Sequence, residues 1–130
     1  MTSLKQSKDV AAAPLKIFFE PTLVDDVPDD ALALTQETFG PLAAIRTVAD
    51  DAEAIRVANA LPFGLAAYVY SGDLGRGWKV AEAIEAGAVG VNVNDTSELH
   101  APFGGWKMSG IGRELGPEGI LAFRETKHIK

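Results

Sequence analysis

The side chains able to do covalent or acid–base chemistry are few and scattered. The 130 residues include no cysteine, which excludes a thiolate nucleophile, a disulfide and a cysteine metal site within them. His100 and His128 are the only histidines, and neither has a partner at metal-ligand spacing, so both read as surface residues. Gly110-Ile111-Gly112 opens like a dinucleotide fingerprint. Leu115, however, stands where the third glycine belongs, and no predicted strand leads directly into it. Ser97, Ser109 and the threonines lack the strand–turn–helix setting of a nucleophile elbow. What remains is residues 94–112, with Gly104, Gly105, Gly110, Gly112, one proline and the large side chains Phe103, Trp106 and Met108. A loop of that length inside a compact domain is usually functional.

Bulk properties narrow the class. Hydrophobic residues at 47% and charged residues at 23% describe a chain able to bury a core, not a disordered one. The net charge is −6, and Asp25, Asp26, Asp29, Asp30, Asp50, Asp51 and Glu53 concentrate acid in the first half. That field repels phosphate backbones, so no nucleic-acid partner is expected. No apolar run reaches membrane-span length, and Met1-Thr2-Ser3-Leu4-Lys5 has no signal-peptide core. The expectation is therefore no membrane partner and a cytoplasmic location.

The elements that must position the loop follow from periodicity. Residues 1–14 are polar, then alanine-rich, and read as a loose leader to a domain spanning 15–130. Ile17-Phe18-Phe19 and Leu23-Val24 suggest an extended segment, and Pro28-Asp29-Asp30 the start of a short helix. Residues 42–48 form a short apolar run, read as a strand. Asp50 with Glu53 three residues on resembles a capping box opening a helix whose apolar face is Ala52, Ile55, Ala58 and Leu61. Residues 65–70 read as a strand covered on both faces. A second helix follows, with Leu74, Trp78, Ala81 and Ile84 on one face and Gly87 as its C-cap. Residues 88–93 are another buried strand, 117–123 a last helix, and 125–130 a C-terminal edge strand. The fold class expected is α/β: a short parallel β-α-β-α-β sheet with flanking helices and a long glycine-rich loop.

Residue chemistry alone stops there. Four motifs carry the reading further: Gln36-Glu37-Thr38-Phe39-Gly40-Pro41; Phe63-Gly64-Leu65-Ala66-Ala67; Gly90-Val91-Asn92-Val93-Asn94; and the run from Pro102-Phe103-Gly104-Gly105 through Lys107, Ser109 and Gly112 to Arg113-Glu114. In this order and spacing they resemble the C-terminal part of the aldehyde dehydrogenase catalytic domain, and the likeness runs from about Phe18 to Lys130.

The resemblance implies an NAD(P)-dependent oxidation of an aldehyde to a carboxylic acid. Glu37 matches the family glutamate that hydrogen-bonds the ribose beside the nicotinamide, and Phe39 the aromatic that packs against that ring. Phe103 matches a residue lining the aldehyde pocket. Ser97 stands where relatives resembling succinate-semialdehyde dehydrogenases place a serine that holds the substrate carboxylate. For Asn92 a structural hydrogen-bonding role is expected. No catalytic residue is assigned, because the match begins after the family's cysteine segment and omits its nucleotide-binding domain. The expectation is a C-terminal portion, inactive alone, with weak or no NAD or NADP binding. Its partners would be further copies of itself or a missing N-terminal half. The competing reading is a stand-alone, non-catalytic binding or oligomerisation module, or one half of a split enzyme.

Overall fold

The computed structural model describes residues 19–130; the expected leader and the extended segment at Ile17-Phe18 lie outside them. The chain divides after Thr47 into two compact units. In the first, β1 (Thr22–Val24) pairs in parallel with β2 (Leu42–Ala44), with Thr22 opposite Leu42 and Val24 opposite Ala44. The connection between them carries α1 (Leu32–Thr35), so this is a small β-α-β unit. The helix starts later than Pro28 suggests, because Pro28–Asp30 are spent on a turn closed by the Ala31 N–H donating to the Pro28 carbonyl, 3.0 Å.

The second unit holds α2 (Asp51–Asn59), β3 (Phe63–Gly64), β4 (Ala66–Val69), α3 (Leu74–Ala83), β5 (Ala88–Val91), β6 (Trp106–Lys107) and α4 (Gly116–Leu121). The capping chemistry at Asp50 is borne out: its carboxylate accepts from the Glu53 N–H, 2.8 Å, and Glu53 Oε2 accepts from the Ala49 N–H, 2.8 Å. Asp73 caps α3 in the same way, accepting from the Arg76 N–H at 3.0 Å. Strands β4 and β5 pair in parallel across α3, from Ala66 opposite Ala88 to Val69 opposite Val91.

The mixed α/β class with short parallel strands stands, but several details are corrected. Strand β2 finds its partner in β1, so the expected continuous three-stranded sheet is two separate parallel pairs. Residues 125–130 are exposed and carry no strand, since an edge strand exists only when a neighbour supplies its ladder and none does here. Part of the long loop is itself a strand: β6 pairs antiparallel with β3.

The faces of the helices also turn. In α3 the inward row is Gly77, Val80, Ala81 and Ile84, while Leu74 and Trp78 are exposed. A Cβ at Gly77 would stand 3.3 Å from Val91 Cγ1, so the missing side chain lets the helix lie close on β5. In α2 the half-buried apolar residues are Ala54, Ile55 and Val57, with Ala52 and Ala58 facing solvent. Strand β4 alternates exposed and half-buried residues and is covered on one face only.

Burial is thin. Ala81 and Ala86 are the buried hydrophobic residues, and no large side chain among the described residues is fully enclosed. No helix among them is long and apolar enough to cross a membrane.

Gly87 is not the C-cap of α3; Ile84 takes that place. Gly87 is instead a point of backbone contact, where an added Cβ would fall onto the Gly104 carbonyl. Gly87→Ala should therefore destabilise by about 3 kcal/mol or more, at or beyond the upper end for overpacking. Gly72→Ala, with open space around its Cβ, should stay within about 0.5 kcal/mol. Urea unfolding of the two variants checks this, and equal midpoints would refute it.

Candidate functional site

The glycine-rich stretch is a closed loop. Phe103 and Glu114 exchange backbone hydrogen bonds at its base, each 2.8 Å. Inside, Arg113 Nη1 donates to the carbonyls of Gly105, 3.1 Å, and Gly112, 2.6 Å. The loop is tied to β3 by the Met108 N–H donating to the Pro62 carbonyl, 2.9 Å, and by the Gly64 N–H donating to Ser109 Oγ, 3.0 Å. Cβ atoms at Gly104 and Gly105 would press on Arg113 and Ser109, so these glycines let side chains and backbone occupy that space. Phe103, half-buried, is thus held at the foot of a braced loop.

Lys107 is part of the bracing. Its φ of 54° lies in the left-handed region, which costs a non-glycine residue about 1–2 kcal/mol. Its ammonium donates to the carbonyls of Asn59, 2.7 Å, and Leu61, 3.1 Å, and pairs with Glu85 Oε2 at 2.6 Å. Sequence reading left Lys107, Ser109 and Arg113 without roles. Their partners are backbone atoms up to 48 residues away, and no local pattern announces such contacts.

Upstream of the loop, Asn92 has φ 55°, and its side chain accepts from the Ser71 N–H, 2.8 Å, and donates to the Ser71 carbonyl, 3.0 Å. It joins the ends of β4 and β5, the structural part expected of it. Ser97 is exposed, and its N–H donates to Asp95 Oδ1 at 2.8 Å. Bonds from the Ser97 N–H and then the Ser97 side chain, against a small opposing effect of burial and with help from the Thr96 N–H, hold the Asp95 carboxyl below its ordinary value. The donors expected to meet a substrate carboxylate are engaged by a carboxylate of the chain itself.

Glu37 and Phe39 lie in the first unit, on the stretch between α1 and β2. Glu37 is exposed, with no partner for its carboxylate among the described residues. Phe39 is 92% exposed, its ring bare on a segment pinned by the Leu42 N–H to Gly40 carbonyl bond and the Thr22 N–H to Pro41 carbonyl bond, both 2.8 Å. The structure thus places Glu37 with Phe39 on one unit and Ser97 with Phe103 on the other. His100 is exposed on the loop, with Nδ1 4.0 Å from Glu98, and His128 is exposed near the terminus. Among the described residues no group of acids and histidines could hold a metal.

Residues 6–129 match the aldehyde dehydrogenase family model. A succinate-semialdehyde dehydrogenase of Paenarthrobacter nicotinovorans is 50% identical over 112 residues, covering 86% of this chain and 25% of that protein. A glutarate-semialdehyde dehydrogenase of Pseudomonas aeruginosa is 49% identical, over 86% of this chain and 23% of its own length. Among solved structures, a betaine aldehyde dehydrogenase of Staphylococcus aureus in complex with NAD+ superposes with a TM-score of 0.81 at 39% identity, over 86% of this chain and 22% of that one. A succinate-semialdehyde dehydrogenase of Burkholderia pseudomallei gives 0.75 at 52% identity, over 79% and 21%. The chain therefore spans a quarter or less of the length of these relatives.

The Asp95–Ser97 contact sets a pH dependence. A carboxyl with a lowered folded value contributes order that is complete above the unfolded value of about 3.9 and is lost as pH falls through the folded one. The Ser97 amide resonance should hold steady above that range and move on further acidification. Asp95→Asn, which keeps an acceptor but cannot titrate, should flatten the curve. An unchanged titration in that variant would show that another group is responsible.

Proposed function

The chain belongs to the aldehyde dehydrogenase family, and we propose that it forms one wall of an NAD(P)-dependent aldehyde dehydrogenase site whose substrate is an aldehyde bearing a carboxylate. The observation that carries the reading is the braced loop that holds Phe103, with Ser97 six residues before it, in a chain about half identical to succinate- and glutarate-semialdehyde dehydrogenases. Glu37 and Phe39 fit the nicotinamide end of the cofactor. A free carboxylate can accept from both ribose hydroxyls, and a bare aromatic face can flank a flat ring. NAD(P), when bound, supplies the hydride acceptor. Phe103 shapes the aldehyde pocket, and Ser97 holds the distal carboxylate once its donors turn from Asp95. The attacking thiolate of such an oxidation is not among these 130 residues, so the chain by itself is inactive and binds the cofactor weakly at best.

A hybrid enzyme tests this. Residues 19–130 should replace the matching segment of the Paenarthrobacter nicotinovorans relative and sustain NAD(P)-dependent oxidation of succinate semialdehyde, with the chain alone as the blank. In the hybrid, Ser97→Ala should raise KM for that substrate about tenfold or more and leave a neutral aldehyde of similar length unaffected. Glu37→Gln should raise KM for the cofactor by a similar factor. A folded but inactive hybrid, activity in the blank, or NAD binding by the chain alone near micromolar Kd, about −8 kcal/mol, would overturn the proposal.

Association is the second part of the reading, favoured by the exposed apolar surface. Phe19, Leu32, Phe39, Leu99, Ile111 and Phe123 are each well over half exposed. Apolar side chains exposed in this way favour association wherever they are contiguous. We expect a dimer or larger species by light scattering at micromolar concentration. Because residues 125–130 alternate and lie unpaired, deletion after Phe123 should shift the chain toward monomer or render it insoluble. A monodisperse monomer across the concentration range would sink this expectation. An oligomer indifferent to the deletion would place the contact on the exposed helical and strand faces instead.

A further inference from the structure

Lys107 gathers contacts that nothing in the proposed chemistry calls on. The carbonyls its ammonium meets, of Asn59 and Leu61, lie at and just beyond the C-terminal end of α2, where the helix dipole favours a cation. The Asn59 side chain in turn donates to the Ala83 carbonyl and accepts from the Glu85 N–H, each 2.8 Å, at the end of α3. Glu85 closes the circuit through its 2.6 Å pair with Lys107. One cation thus draws the ends of two helices onto β6. Strand β6 begins three residues after Phe103, and the intervening Gly104 packs on Gly87.

We propose that Lys107 is a positioning residue for Phe103: its ammonium clamps the glycine-rich loop to the ends of α2 and α3 and so sets where the aldehyde-facing wall stands. The functional meaning rests on the reading of Phe103 given above, whereas the clamp rests on the geometry. The ties at Met108 and Gly64 and the Phe103–Glu114 bridge are all neutral. The ammonium adds a charged anchor to these, and its removal leaves the left-handed Lys107 backbone to the two-residue β3–β6 pairing.

The chain has no cysteine, so Lys107→Cys creates a unique handle. Amide hydrogen exchange in that variant should be on the order of tenfold faster at Phe103, Glu114, Met108 and Gly64, in keeping with the loss of hydrogen bonds to a charged donor. Ala88 and Asn92, whose N–H groups bond to Leu65 and Val69 in the β4–β5 ladder, should keep their protection. Aminoethylation of the thiol, which restores an ammonium at nearly lysine length, should return the loop amides to their original rates. Carbamidomethylation, neutral and of similar size, should not. Glu85→Gln keeps the shape, removes the pairing charge and should give the same pattern at smaller amplitude, even where the cysteine variant folds poorly. Uniform acceleration across both sets of amides, recovery with the neutral adduct, or a flat result in Glu85→Gln would each overturn the proposal. No aldehyde enters this measurement, so its outcome is independent of the hybrid-enzyme test.

Discussion

The approach of Gly87 to Gly104 governs what the second unit can be. At that point two backbones touch with no side chain between them, and Gly64 likewise lies close to the Glu85 carbonyl. These contacts bring the turn between α3 and β5, the end of β3 and the foot of the glycine-rich loop together. The Gly87 N–H donates to the Gly64 carbonyl at 3.0 Å, so hydrogen bonding as well as contact fixes the junction. With a methyl group at any of these positions, carbonyls would have to shift. The loop could then not be braced by Ser109, Arg113 and Lys107 at once. Phe103 takes its place from this arrangement.

That junction is polar and backbone-rich, which accounts for how little apolar burial accompanies it. Two alanines are buried, while Leu74, Trp78 and Tyr70 present more than half of their surface to solvent. Two-stranded parallel pairs have little independent stability, because each strand satisfies one edge only. The local devices are nevertheless in order. Caps at Asp50 and Asp73 start their helices, and the Arg76–Asp51 pair, with contacts of 2.7 and 2.6 Å, and the Lys107 network join neighbouring elements. Exposed ion pairs of the Arg76–Asp51 kind add little net stability. The stability of the layer depends instead on close helix–strand contact through Gly77 and on what covers the faces left bare.

How much of this the sequence disclosed depends on whether a signal was local. Asp50 with Glu53 is a cap readable from spacing alone, and α2 begins where those residues put it, whereas the cap at Asp73 was supplied by the structure. The order of strand and helix was legible for the same reason. The inward faces were not. Leu74 and Trp78 outrank Gly77 on any hydrophobicity pattern, yet close approach to β5 selects the residue without a side chain. The strand inside the glycine-rich loop was missed because its partner, β3, is only two residues long. At the candidate site, family motifs picked out Glu37, Phe39, Ser97 and Phe103. Of the residues bracing the loop, Ser109 and Lys107 meet partners more than twenty residues away, and spacing along the chain carries no trace of that.

Ser97 shows most clearly what the structure adds to the motif. Its N–H and hydroxyl turn toward Asp95, whose charge is favoured by those donors. A substrate carboxylate arriving at the same donors would meet a like charge two residues away. Repulsion of that kind is weakest where water screens it, and both residues are exposed here. Enclosing the site would strengthen it, since the same two charges interact more strongly as the surroundings become less polar. Ser97 can therefore serve a carboxylate-bearing aldehyde only if Asp95 turns outward or if a cation from beyond these residues stands near it. On the proposed reading, the sign of the local charge as well as the serine would bear on which aldehydes are admitted.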